Sequence, residues 1–225
     1  MDTNFWHDKW AKNEIAFHGR EAHPLLVKHV SALALPPGAR VFLPLCGKTL
    51  DIHWLLAQGM RVAGVELSSL AIDQLFAELG VQPQVSRVGD LTRYSADHID
   101  IFVGDFFQLS SAQLGVVNAV YDRAALVALP PEMRVRYAAQ LMAVTACAPQ
   151  LLICFDYDQA LQAGPPFAVP GAEVRAHYGQ ACDVALLESM SLAGGLKGRS
   201  AAQEEVWLVT PGAGDGRNAA TASSW

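Results

Sequence analysis

An α/β fold, with a seven-stranded and mostly parallel sheet covered by helices on both faces, is what this sequence predicts. Three observations carry that expectation. Short apolar runs bounded by turn residues, such as Arg40-Val41-Phe42-Leu43-Pro44-Leu45, are too brief for helices and read as buried strands. They alternate with segments whose apolar residues recur at helical spacing, the pattern of a parallel sheet. Near the end, two β-rich segments follow one another across a short link, which predicts an antiparallel hairpin at one edge.

The elements follow in order. Residues 2–12 predict a short amphipathic helix, capped by Asp2 or Thr3, with Trp6 and Trp10 four apart on one face. A second helix covers 24–33 and stops at Pro36-Pro37-Gly38. The strand at 40–45 leads into a helix over 49–58, with Gly59 in the usual stopping place. The strand at 61–67 follows. Ser68 then caps a helix that carries Ile72, Leu75, Phe76 and Leu79 on one side and ends at Gly80. Strands at 99–103 and 116–121 precede a helix over 131–147, opened by the first-turn proline Pro131. A strand at 150–155, a helix at 172–178 and strands at 184–192 and 205–210 complete the set. Residues 1–210 are expected to form one domain, with about 1–35 as an N-terminal helical lid. The small, polar residues 211–225 predict a disordered tail.

The bulk properties narrow the function. A chain of 225 residues, 52% apolar and 17% charged, suits one well-filled domain. The net charge of −6 and the lack of any Lys/Arg run argue against a nucleic-acid partner. No secretory signal is visible, and no apolar run reaches the ~20 residues needed to span a bilayer. Cys46, Cys147, Cys154 and Cys182 form no CxxC pair and read as reduced thiols of a cytoplasmic protein. No long apolar surface run is evident, so a monomer is expected. His18, His23 and His29 do not share one helical face, and no metal is expected.

Open α/β sheets bind ligands at the carboxyl ends of their strands, so the informative residues follow each strand. Gly47-Lys48-Thr49 mimics the end of a P-loop, but the glycine required five residues earlier is Phe42. A dinucleotide loop needs G-x-G-x-x-G, and only Gly47 is present. Both phosphate readings weaken, and a nucleoside without phosphates fits better. Glu66, at the end of the second strand, is placed to accept from both ribose hydroxyls; the alternative is an ordinary charged strand end. After the third strand, Asp105 offers an acceptor for an exocyclic amine and Phe106 a ring for stacking. Asp105 could equally cap a turn, and Phe106 could be core.

Several blocks resemble one family. They are Phe5-Trp6-His7-Asp8-Lys9-Trp10, Phe17-His18, Phe42-Leu43-Pro44-Leu45-Cys46-Gly47-Lys48, Gly64-Val65-Glu66-Leu67-Ser68, Asp122-Arg123-Ala124-Ala125-Leu126-Val127-Ala128-Leu129 and Gly164-Pro165-Pro166-Phe167-Ala168-Val169-Pro170. In this order, over about residues 4–210, they resemble thiopurine S-methyltransferase, and the first-loop and D-R-x-A-L-V-A blocks are specific to it. The resemblance implies a Rossmann-like class I methyltransferase with S-adenosylmethionine as methyl donor. By that match Trp10 and Leu45 contact the donor, Glu66 holds its ribose and Asp105 and Phe106 flank the adenine. Arg123 lies near donor and acceptor and is the candidate catalytic residue. Phe17, Pro165, Pro166 and Phe167 fall where the family forms its acceptor pocket. The acceptor-side loop before the last strand is short here, leaving Arg199 and Lys197 as the candidates for a second basic group. The implied acceptor is a small aromatic or heterocyclic thiol. The short N-terminus resembles the family's bacterial branch, which is associated with methylating selenium and tellurium compounds. The rival readings are a nicotinamide-dependent oxidoreductase and a non-catalytic S-adenosylmethionine-binding protein.

Overall fold

The computed structural model describes residues 3–12, 14, 19 and 21–212. The acceptor-pocket candidate Phe17, together with His18 and tail residues 213–225, lies outside them. The strands are β1 (Arg40–Pro44), β2 (Arg61–Glu66), β3 (Gln84–Val88), β4 (Leu91–Ala96), β5 (Ile99–Val103), β6 (Ala119–Arg123), β7 (Gln150–Tyr157), β8 (Cys182–Ser191) and β9 (Ala202–Pro211). The helices are α1 (Thr3–Ala11), α2 (Pro24–His29), α3 (Leu50–Ala57), α4 (Ser69–Leu79), α5 (Ser111–Leu114), α6 (Pro131–Thr145) and α7 (Gly171–Tyr178).

One nine-stranded sheet runs β3-β4-β5-β2-β1-β6-β7-β9-β8. Its five middle strands, β5-β2-β1-β6-β7, are mutually parallel, and β4 and β9 flank them antiparallel. The predicted hairpin of β8 and β9 forms one edge, with a register shift between Leu186 and Glu188. The expected count of seven strands is corrected to nine by the β3–β4 hairpin at the other edge. β3 is almost wholly exposed, so it lacks the apolar run by which buried strands are recognised. The β6 strand also starts later than the predicted residue 116. Val116 is 87% exposed, and Asn118 Oδ1 instead accepts the Arg40 N–H at 2.8 Å.

Alternation along the central strands divides the core. Phe42, Val65, Phe102, Val120 and Leu152 pack with Tyr137 and Leu141 of α6 and Tyr178 of α7. Val41, Leu43, Val62, Ile101, Tyr121 and Leu151 pack on the other side with Leu26, Ile52, Leu55, Ile72 and Leu75 from α2, α3 and α4. Each side chain so buried contributes roughly 1.5–3 kcal/mol. The termini of α4 match the sequence: Ser68 Oγ accepts the Ala71 N–H, and Gly80 closes the helix at φ 70°.

The parallel strands all end at the same rim. What the chain places after β1, β2, β5, β6 and β7 therefore converges on one cleft.

Candidate active site

The loop after β1 turns sharply. Leu45 (φ 46°) and Gly47 (φ 53°) are both left-handed, a conformation that costs a non-glycine residue about 1–2 kcal/mol. Gly47 has a second reason to be glycine, since a Cβ there would stand 2.9 Å from Trp10 Cζ2. Trp10, 5% exposed, thus lies directly on the loop and brings the predicted lid to the predicted donor site.

Glu66 ends β2 beneath the same loop and is buried. Its Oε2 accepts the Gly47 N–H at 2.8 Å and its Oε1 the Ser68 N–H at 2.9 Å. Burial raises its pKa; the Ser68, Gly47 and Leu67 N–H groups and the nearby His7 act in the opposite direction. The Gly47 N–H that would cradle a phosphate is turned onto a carboxylate. The P-loop-like Lys48 is also committed elsewhere, its Nζ lying 2.5 Å from Glu78 Oε1. Cys46, beside Glu66, is held protonated by burial and by the Glu66 charge, so it is no nucleophile.

β5 adds the next part of the rim, with the Gly104 N–H donating to Glu66 O at 2.9 Å. Asp105 Oδ1 accepts the Phe107 N–H at 3.0 Å and so caps the short turn at 106–108. Phe106 turns inward, 3% exposed and 5.1 Å from the Tyr137 ring. Of the two residues expected at the adenine, Asp105 stands on the exposed rim while the Phe106 ring belongs to the core.

β6 delivers Arg123 as its last residue, half-buried at the cleft. Two residues earlier on the same face, Tyr121 donates to Asp51 Oδ2 at 3.1 Å, while Asp51 Oδ1 accepts the His23 N–H at 2.6 Å. Burial and then Asp51 push the Tyr121 phenol pKa well up, against the pull of the Arg123 charge. The neighbouring Asp122 accepts from the Tyr137 hydroxyl at 2.7 Å and the Leu126 N–H at 3.1 Å. Burial raises its pKa to about 6. Asp122 thus shapes the turn that follows Arg123, where Ala124 is left-handed at φ 60°.

The segment 164–169 is clamped against that turn. The Phe167 N–H donates to Val127 O at 2.7 Å, the Tyr157 hydroxyl to Pro166 O at 2.6 Å, and Lys197 Nζ to Pro165 O at 2.7 Å. Pro165, Pro166 and Phe167 are thus held against the turn that follows Arg123. Of the two basic candidates in the last loop, Lys197 is the one bonded to this segment; Arg199 is exposed.

Sequence reasoning missed Arg134. This α6 residue is 1% exposed. Its Nε donates to Leu129 O at 2.8 Å, and its Nη1 donates to Ala168 O at 3.0 Å and to Glu173 Oε1 at 2.7 Å. Its guanidinium carbon is 5.6 Å from the Phe167 ring centroid. One side chain thus ties together the turn after β6, the 164–169 segment and α7. The available signal was position: Arg134 shares a helical stripe with Tyr137, Ala138 and Leu141, all buried.

Among the described residues no cluster of three His, Cys, Asp or Glu side chains gathers to hold a metal. His23 Nε2 instead faces Glu204 Oε1 at 3.2 Å, and His29 pairs with Glu188. No helix among the described residues is long and apolar enough to cross a membrane.

Comparison with known proteins identifies the family. The family model described as thiopurine S-methyltransferase matches residues 1–211. A thiopurine S-methyltransferase of Xanthobacter autotrophicus is 56% identical over 210 residues, covering 93% of this chain and 99% of that protein. One from Teredinibacter turnerae is 52% identical over 210 residues, covering 93% and 98%. Among solved structures, a Burkholderia thailandensis 1,6-didemethyltoxoflavin-N1-methyltransferase with bound 1,6-didemethyltoxoflavin and S-adenosylhomocysteine is similar at a TM-score of 0.63. It is 15% identical, and the match covers 93% of this chain and 87% of that one. At that identity the likeness establishes the fold, that of class I methyltransferases.

Proposed function

Because this chain belongs to the thiopurine S-methyltransferase family, we propose that its cleft binds S-adenosylmethionine between Trp10, the Leu45–Gly47 turn, Glu66 and Asp105. The acceptor, a small aromatic or heterocyclic thiol, would lie between Arg123 and the Pro165–Phe167 segment. The observation that carries this assignment is the buried Glu66 under the tight first loop. A carboxylate there suits ribose hydroxyls, and the loop above it lacks the G-x-G-x-x-G that the pyrophosphate of a nicotinamide dinucleotide requires. Bound adenosylmethionine would supply a sulfonium-activated methyl group, for which the residues need only align the nucleophile and exclude water.

Each side chain then has a task. Glu66 accepts from the ribose hydroxyls. Asp105 and the backbone at Phe106 face the adenine edge, since the Phe106 ring itself is packed inward. Trp10, with Trp6 on the same helix, covers the cleft and keeps water out. Arg123 stabilises the anionic form of the acceptor, with Lys197 as a second cation on that side. A heterocyclic thiol is already partly ionised near neutral pH, so no strong general base is assigned. Selenium and tellurium nucleophiles would fit the same in-line geometry. We place the protein in the cytoplasm as a monomer, a reading supported by its four free thiols and by the scatter of its exposed apolar side chains. Its acceptors are small molecules rather than nucleic acids, in keeping with the net charge of −6.

The deciding experiment is transfer of labelled methyl from adenosylmethionine to 6-mercaptopurine, with selenite in parallel. Methylated thiopurine is the expected product. Donor binding without turnover on either acceptor would overturn the acceptor assignment and favour a protein that only binds the donor. Arg123→Ala is expected to lower kcat by at least tenfold while changing donor affinity less than threefold. If instead only the melting temperature fell, Arg123 would be structural.

A further inference from the structure

The border of the sheet opposite the cleft carries a charge arrangement that methyl transfer does not use. Arg40 opens β1 and Arg61 opens β2, and the two are register partners on adjacent strands. Like charges held side by side repel, so such a pair needs negative charge nearby. Asp100 of β5, in register with Ser95 of β4, is the acid that answers. Its Oδ2 accepts from Arg40 Nη2 at 3.0 Å, and its Oδ1 accepts from Arg93 Nε at 3.0 Å, Arg93 Nη2 at 2.6 Å and Ser95 Oγ at 2.7 Å. Those donors fill the carboxylate. Among the described residues the Arg61 guanidinium bonds only to the Gly38 carbonyl, 3.1 Å from Nε. Arg40, Arg61, Arg93, Ser95, His98 and Asp100 surround an open depression of about 370 Å³. The other acid on its border, Asp97, is 93% exposed and lies 3.5 Å from His98. Three guanidinium charges thus face the single charge of Asp100, an excess of two, in a chain whose net charge is −6. Burial lowers the Arg40 pKa, Asp100 opposes that, and the Arg61 and Arg93 charges add to the lowering.

We propose that this depression is an anion site that takes the dianionic phosphate group of a small molecule between the guanidinium forks of Arg61 and Arg93. Both Nη groups of Arg61 and the Nη1 of Arg93 are the donors left over by the bonds above. A guanidinium fork matches two oxygens of a tetrahedral phosphate, and the dianion matches the excess of two charges. A monocarboxylate offers two oxygens and one charge, and so serves one fork only. Arg40 contributes field rather than hydrogen bonds, because its Nη1 is committed to Leu114 O and its Nη2 to Asp100. The depression is wider than one phosphate ion, which leaves room for the organic part of a phosphate monoester. It lies at the amino ends of the parallel strands, the length of β2 away from the cleft, or roughly 17 Å. Occupation therefore stabilises the fold without competing for the methyl-donor site.

The test is independent of the proposed reaction. Inorganic phosphate and ribose 5-phosphate are each titrated into the protein by calorimetry in about 0.15 M sodium chloride. The expected result is one saturable site per chain, and a melting temperature raised by roughly 3–5 °C at ten times the dissociation constant. Tighter binding of the ester identifies an organic phosphate as the ligand; equal affinity identifies the free ion. Arg61→Ala should weaken binding at least tenfold, and Arg61→Lys, which keeps the charge but loses the fork, about threefold. Arg61 is exposed, so both variants should melt close to the native protein when no phosphate is present. Heat that does not saturate, heat abolished by matching the ionic strength with chloride, or an affinity unchanged in Arg61→Ala would overturn the proposal.

Discussion

Replacing Glu66 with alanine is expected to weaken S-adenosylmethionine binding by about 1–3 kcal/mol, read by calorimetry. The carboxylate anchors the first loop through the Gly47 and Ser68 N–H groups, so the variant loses ribose contacts and loop order together. Glu66→Gln should rescue little. An amide presents one oxygen and one NH2, and whichever backbone N–H met the NH2 would face a second donor. A pH signature accompanies the loss. The folded pKa of Glu66 lies above its ordinary value because of burial, and the ionised form is the better hydrogen-bond acceptor. Donor affinity in the native protein should therefore hold at neutral pH and fall on acidification, beginning at a higher pH than for an ordinary glutamate. The alanine variant should lack that fall. Unchanged donor affinity in Glu66→Ala would remove the residue from the site.

Arg134→Ala should destabilise the fold by about 3–5 kcal/mol, the usual loss when one partner of a buried ion pair is removed. The guanidinium is 1% exposed. Truncating it strips the carbonyls of Leu129 and Ala168 and the Glu173 carboxylate of a donor at once. Glu173→Gln leaves the buried guanidinium without its counter-charge but keeps an amide oxygen as acceptor, so it should cost about 2 kcal/mol. Arg134→Lys should fall between the two, retaining a charge near Glu173 but losing the planar fork. Urea unfolding measures all three. A loss below 1 kcal/mol for Arg134→Ala would show that the clamp on the 164–169 segment does not depend on this side chain.

These two residues mark how far the sequence could be read. Glu66 could be singled out as a candidate because its strand ends in an acid after a loop too poor in glycine for phosphates. The central strands were legible for the same kind of reason, being continuous apolar runs between turns. Arg134 was not, because helical spacing shows which face is buried but not that a long cation on that face will find the carbonyl of Ala168 and the carboxylate of Glu173, both far along the chain. The hairpin of β3 and β4 escaped notice because its strands are largely solvated and carry little periodic signal. Phe106 was ambiguous between base stacking and core, and the pairing of its ring with Tyr137 depends on α6, far along the chain. The N-terminal helix illustrates the converse. Trp6 and Trp10 were recognisable as one helical face, but only the structure shows Trp10 seated on Gly47.

The irregularity in β8 bears on how these molecules behave in a crowd. The outermost strand of a sheet offers a free row of amides and carbonyls to any passing extended chain. Here the register breaks between Leu186 and Glu188, and Glu188 is drawn to Lys28 and His29 of α2. A newcomer strand would therefore meet a kinked template with a carboxylate tethered on it. The opposite border, β3, spans only Gln84–Val88 and includes Arg87. With both borders so blunted, the sheet resists being lengthened by a second molecule, and the chain can keep a largely apolar composition without stacking into fibres.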